Sequence, residues 1–154
     1  MGVPVAVVED EYQFVLGHGV LWTDKDIAVE MMKQVQAQFP EFKFTCSFDL
    51  SFYSPEVRQE LDHLLEVTGM SKKGYLDKAE CARQNMPAYK EARTGHSAVE
   101  SCMNNLNHRR MDVVREVSQE AFARAVALSV LGANLHRLRA IIRAQERERK
   151  RRAA

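Results

Sequence analysis

The chain opens with two runs of apolar, strand-forming residues separated by an acidic turn. Residues 3–8 are almost wholly apolar, and after Glu9-Asp10-Glu11 a second apolar run extends from Tyr12 to Leu16 and on through 17–22. This pattern predicts a β-hairpin with the three acids at the turn. A two-stranded hairpin is marginally stable alone, so we expect further strands, from downstream or from residues preceding Met1, to pair with it.

A helix, a strand and a second helix are predicted next. The apolar residues of the first helix recur near the helical period; they are Ile27, Met31, Val35 and Phe39. This helix should end before Pro40, and the aromatic-rich run 42–48 predicts a strand that ends at Asp49. Ser54-Pro55-Glu56 suits a helix start, because Ser caps and Pro is tolerated in the first turn. The second strand of the hairpin, the helix that follows it and the strand over 42–48 together imply a crossover connection.

The second half is predicted to be mainly helical. Residues 67–87 have weak periodicity and read as a loop with short helical pieces, and a helix is predicted from Ala88 to about His108. The last helix has apolar residues at alternating spacings of three and four, namely Leu128, Leu131, Leu135, Leu138 and Ile142. Such a stripe is more often core than partner interface, so we expect it to be buried.

Composition suits one soluble domain. The 154 residues are 45% hydrophobic and 28% charged, and 22 Lys and Arg against 21 Asp and Glu give a net charge of +1. Residues 143–154 form a basic tail after a domain spanning 1–142. Cys46, Cys81 and Cys102 form no CxxC pair, which favours reduced thiols in a cytoplasmic protein. With no signal-like start and no uninterrupted apolar stretch near the membrane-spanning length, we expect no membrane partner.

Two carboxylates are candidate site residues. Asp49 follows a strand at its carboxyl end, where α/β sheets place their ligand sites, although a turn or cap Asp is the commoner reading of that position. Glu100 shares a predicted helix face with Arg93 and His96. From the residues alone, a solvated surface with an ordinary pair between His96 and Glu100 is the commoner reading of such a face.

Four blocks of the chain together resemble bacterial DDE-type insertion-sequence transposases of the ISNCY-like group. The blocks are Pro4 to Leu16, Ser47-Phe48-Asp49-Leu50-Ser51-Phe52-Tyr53-Ser54-Pro55, His96-Ser97-Ala98-Val99-Glu100-Ser101, and Ala127 to Leu138. They occur in the family's order and span nearly the whole chain. The sequence departs from the family at 109–116, where a Gly-rich turn is usual.

The resemblance implies an α/β, ribonuclease H-like fold, with a mixed sheet flanked by helices and a long C-terminal helix. It also implies a transposase that acts by two-metal phosphoryl transfer on DNA. The second and third acids of the family map onto Asp49 and Glu100, which would be catalytic and would bind Mg²⁺ or Mn²⁺. The first acid lies on a strand before the matched region. We therefore expect an incomplete site, a chain inactive alone, and metal binding only when the site is completed.

Other residues are secondary candidates. His96, Arg93, Lys72 and Lys73 are predicted to contact DNA, with a solvated surface as the alternative for each. Asp10, beside two other acids at a turn, is a poor substitute for the first acid. The expected partners are transposon-end and target DNA, and a homo-oligomer or a full-length transposase. The rival function is a non-enzymatic DNA-binding or interaction fragment that modulates a full-length transposase.

Overall fold

The fold was obtained as a computed structural model, which describes residues 3–20, 27–94, 106 and 118–153. The chain divides into two compact units. One comprises Met1–Val8 and Leu16–Glu100, and the other comprises Glu9–Val15 and Ser101–Ala154.

Strands β1 (Val5–Glu9) and β2 (Val15–Val20) pair in a two-stranded sheet, which confirms the predicted hairpin. The side chain of Asp10 builds the turn, because its Oδ1 accepts hydrogen bonds from the backbone N–H groups of Tyr12 (2.9 Å) and Phe14 (2.7 Å). Gln13 takes the left-handed conformation, with φ of 66°. The return strand therefore begins at Val15, three residues later than the apolar run suggested, and Asp10 is a turn residue.

Helix α1 (Ile27–Gln38) packs against both β2 and the next strand, β3 (Thr45–Ser47). A Cβ added at Gly17 of β2 would lie 3.2 Å from Cγ2 of Val35. On the other side, the Cys46 thiol donates to Sδ of Met32 at 3.9 Å. The buried face of α1 forms the centre of the core in this unit, as its periodicity predicts. The helix ends before Pro40, as predicted.

Strand β3 pairs in parallel with β4 (Val67–Gly69), and the connection between them contains a short 3-10 helix (Leu50–Phe52) and α2 (Pro55–Leu64). The Ser54 cap is confirmed, since Ser54 Oγ accepts from the Val57 N–H at 3.1 Å. The crossover was predicted between the hairpin and β3, which lie in separate sheets, so that prediction is wrong; the parallel connection runs from β3 to β4 instead. The loop predicted over 67–87 is wrong at its start. The three residues of β4 are too few to show the alternation that predicts a strand. They form one because they pair with β3.

Helices α3 (Lys78–Asn85) and α4 (Pro87–Thr94) follow. The predicted helix from Ala88 to His108 is confirmed as far as Thr94, and most of its remainder lies outside the described residues. Gly69 at the end of β4 allows a close approach to α4 and β3. A Cβ there would lie 3.1 Å from Cβ of Ala92 and 3.1 Å from the carbonyl oxygen of Cys46.

Helix α5 (Gln119–Ala153) runs through the basic tail, which is therefore helical. Its buried residues are Val126, Val130 and Ala133. The predicted core stripe is exposed instead, from 68% of Leu128 to 45% of Leu138 and Ile142, so that prediction is wrong. The buried residues lie on another face of the helix, which is the face that carries its contacts with the turn segment 9–15.

The contacts of α5 with the segment 9–15 include three hydrogen bonds. The side-chain amide of Asn134 accepts a hydrogen bond from the Val15 N–H and donates one to the Val15 carbonyl, both at 2.9 Å. Arg137 Nε donates to the carbonyl of Tyr12 at 2.7 Å. Residues at opposite ends of the sequence thus form one unit.

The described residues form a mixed α/β fold with small sheets and a long C-terminal helix. The hairpin and β3 were expected to share one mixed sheet. They lie instead in separate two-stranded sheets, β1 with β2 and β3 with β4.

Candidate functional site

Asp49 lies two residues after β3, beyond the carboxyl end of that strand, and is exposed. It caps the short 3-10 helix, because its Oδ1 accepts a hydrogen bond from the backbone N–H of Ser51 at 2.7 Å. The chain turns here since an Asp side chain readily bonds the backbone two residues on. Asp49 is thus a capping residue, and its carboxylate is also accessible to solvent at the strand end.

Arg93, on α4, lies at the same end of β3. Its Nη1 donates a hydrogen bond at 3.0 Å to the carbonyl oxygen of Phe48, the residue before Asp49. Helix α4 is held close enough for this contact because Gly69 of β4 has no side chain to separate it from the sheet. The structure therefore brings together two of the predicted site residues, an acid and a guanidinium, around the Phe48–Asp49 peptide.

His96 and Glu100 lie outside the described residues, so the expected pairing of Asp49 with Glu100 is neither confirmed nor contradicted. Within the described ranges, no group of three or more His, Cys, Asp or Glu side chains is arranged to hold a metal ion. The donor available at Asp49 is a carboxylate oxygen, which is the ligand type that Mg²⁺ and Mn²⁺ prefer.

The two lysines of the predicted DNA contact differ in their surroundings. Lys72 Nζ lies 3.2 Å from Oδ2 of Asp77, which also caps α3 by accepting the Glu80 N–H at 2.8 Å. That hydrogen bond, followed by the interaction with Lys72, holds the pKa of Asp77 below its ordinary value. Lys73 is exposed beside Gly74, whose φ is 85°. Lys73 is therefore the more accessible of the two for a phosphate.

A charged cavity of about 600 Å³, absent from the sequence analysis, adjoins Lys72. Its ion pairs join α2 to α3: Arg58 Nη2 lies 2.5 Å from Oε2 of the buried Glu80, and Arg83 Nη2 lies 3.0 Å from Oδ1 of Asp62. In the sequence, only the i,i+4 spacing of Arg58 and Asp62 pointed to one of these ion pairs. The other partners are about twenty residues apart, so no local pattern connects them. Each cation of these pairs already has a carboxylate partner, so the cavity carries no strong excess of charge.

Comparisons with known protein families, curated proteins and solved structures gave no match to this chain. One described helix, α5, is long and apolar enough to cross a membrane by length and composition, a test that a core helix of a soluble protein also passes. We expected no segment of membrane-spanning length, and α5 is an exception to that expectation by length and composition.

Proposed function

We propose that this chain is the C-terminal part of the catalytic domain of a DDE-type transposase, inactive alone. The observation that carries the proposal is the position of Asp49. An exposed carboxylate follows a parallel strand, and Arg93 binds the adjacent peptide. A divalent ion held there would stabilise the attacking and leaving oxygens during in-line transfer at phosphorus. In this proposal Arg93 fixes the strand end that carries the acid, and Glu100 supplies the second carboxylate.

The arrangement of the sheets supports an incomplete domain. In the described residues β1 pairs with β2 and β3 pairs with β4, while α1 packs on both β2 and β3. Two short sheets that share one helix are less stable than a single sheet of more strands. A further strand, from residues outside this sequence or from another chain, would join them, and in this proposal it carries the first acid.

Stable binding of a divalent ion requires the first acid, so the test uses an excess of Mn²⁺, at which the two carboxylates that this chain supplies should bind the ion weakly. We expect the ion to broaden the amide NMR signals of residues near Asp49, with weakened broadening in Asp49→Asn and in Glu100→Gln. Glu91→Gln, an exposed carboxamide substitution on α4, is the matched control and should bind like the parent chain. Broadening that all three variants leave unchanged would contradict the shared site. Metal-dependent nicking of DNA by this chain alone, abolished in Asp49→Ala, would contradict its inactivity.

A second function, a non-enzymatic fragment that binds DNA or modulates a full-length transposase, is favoured by the capping bond from Ser51 to Asp49. An Asp that serves only as a cap needs no metal. The basic end of α5 then supplies the interaction, through release of counterions from DNA. In that case, removing 143–153 abolishes salt-dependent DNA binding, while Asp49→Asn leaves DNA binding unchanged and Mn²⁺ broadens no signals near Asp49 in either the parent chain or the variant.

A further inference from the structure

The exposed apolar residues of α5 form a narrow stripe. They are Leu128, Leu131, Leu135, Leu138 and Ile142, and between 45% and 68% of each is exposed. Their spacings of three, four, three and four repeat every seven residues, which is the pattern of the contact positions in a coiled coil. The face that packs within the chain is a different one, centred on Val130 and Ala133. One helix thus carries two apolar faces, and one of them is unpartnered in the described structure.

We propose that this stripe binds the same stripe of a second copy of the chain, with the two α5 helices antiparallel. A seven-residue repeat is complementary to another helix with the same repeat, because each side chain enters a space between four residues opposite. A second copy of the chain carries a helix with this same repeat, so the stripe is complementary to itself. This inference does not depend on the proposed function.

The charges of α5 decide the orientation. From Arg143 to Ala153 the helix has six basic residues and two acidic ones, a net charge of +4. Parallel helices would place two such segments side by side, and like charges at close range repel. In an antiparallel pair centred near Leu135, the basic segments lie at opposite ends. Each then faces the first turns of the other helix, where Glu120 and Arg124 balance one another.

The length of the stripe sets the strength of the dimer. At the helical rise of 1.5 Å per residue, positions 128 to 142 span about 21 Å. This is short beside the interfaces of permanent dimers, which bury on the order of 1,000 Å² or more on each partner. We therefore expect a dimer that dissociates on dilution through the micromolar range.

Sedimentation velocity of the full chain over a range of concentrations tests the proposal. We expect the double variant Leu131→Glu, Leu135→Glu to weaken dimerisation at least tenfold. The matched variant Ala140→Glu, Ala144→Glu places the same charges on exposed positions off the stripe and should dimerise like the parent chain. Circular dichroism confirms that both variants keep their helix. A parent chain that is monomeric at every concentration, or equal dimerisation in the two variants, would overturn the proposal.

Disulfide cross-linking tests the orientation without disturbing the fold by charge. In a chain whose Cys46, Cys81 and Cys102 are replaced by Ala, Leu135→Cys lies at the centre of the antiparallel pair and should cross-link. The two copies of position 145 lie about 30 Å apart in that pair, so Gln145→Cys should not cross-link. Efficient cross-linking of Gln145→Cys would overturn the antiparallel arrangement. A monomer that instead binds phosphatidylglycerol vesicles, and loses binding in the Leu131→Glu, Leu135→Glu variant, would replace the second copy by a lipid surface.

Discussion

The guanidinium of Arg93 binds the backbone carbonyl of Phe48 at 3.0 Å, across 45 residues of sequence. This bond joins α4 to the end of β3 at the residue before Asp49. Because the donor is charged and the contact is partly buried, the bond should contribute more than an exposed neutral one.

Removing that guanidinium should destabilise the protein. We expect Arg93→Met, which keeps the apolar stem, to lower the free energy of unfolding by roughly 1 to 3 kcal/mol, since the Phe48 carbonyl loses its partner. Lys90→Met, at an exposed position on the same helix, is the control and should change it by less than about 0.5 kcal/mol. Urea denaturation measures both. Equal effects would mean that the Arg93 bond contributes nothing specific.

Two glycines should respond in opposite directions to alanine. At Gly69 an added Cβ would lie 3.1 Å from both Ala92 and the Cys46 carbonyl, so Gly69→Ala should cost about 1 to 3 kcal/mol. At Gly132, within α5, no atom beyond the adjoining helix backbone and the two neighbouring residues lies within 4 Å of that position. Gly132→Ala should therefore stabilise by roughly 0.5 to 1 kcal/mol through helix propensity. Thermal or urea unfolding distinguishes them, and a stable Gly69→Ala variant would show that α4 can move away freely.

The cysteines of the described residues should differ in reactivity. Burial raises the pKa of the Cys46 thiol to about 11, so almost none of it is thiolate at neutral pH. Cys81 is exposed. In a Cys102→Ser background, we expect a disulfide reagent such as DTNB to modify one thiol quickly at pH 7.5, and Cys81→Ser to remove that fast phase. A fast phase that survives in Cys81→Ser and disappears in Cys46→Ser would contradict the burial of Cys46.

His18 should make the fold sensitive to mild acid. Burial of this residue on β2 lowers the pKa of its imidazole below the ordinary 6.5. The unfolded chain therefore binds the proton more readily, so the stability is fully present above about pH 6.5 and is lost as the pH falls toward the lower folded pKa. We expect His18→Gln to lose less stability than the parent chain between pH 7.5 and 5.5.

The exposed His136 provides the control for that experiment. His136→Gln should keep the acid sensitivity of the parent chain, because this side chain is not buried. Urea midpoints at both pH values measure the difference. If the two variants and the parent lose the same stability, the sensitivity comes from other groups.

Local signals in the sequence were sufficient for the hairpin, α1 and the Ser54 cap, because each depends on neighbouring residues. Strand β4 was missed since its three residues form a strand only through pairing with β3, which no local pattern records. The stripe beginning at Leu128 was misread for a related reason. Periodicity shows that a face is apolar, but not whether the chain itself covers it.

The candidate site was predictable in part. The strand before Asp49 follows from the aromatic-rich run 42–48, although only Thr45–Ser47 of that run form a strand. The contact of Arg93 with Phe48 does not, because it depends on the close approach that Gly69 permits between α4 and the sheet. The pairing of Asp49 with Glu100 stays a prediction.

Asn134 bears on how open Val15, at the start of a strand, is to pairing with other molecules. An exposed strand edge offers unpaired amide and carbonyl groups on which the strands of other molecules can assemble. At Val15 the side chain of Asn134 occupies both groups, much as a neighbouring strand would. A strand arriving at Val15 would have to displace this side chain, so the hydrogen-bonding groups of that residue are protected from assembly.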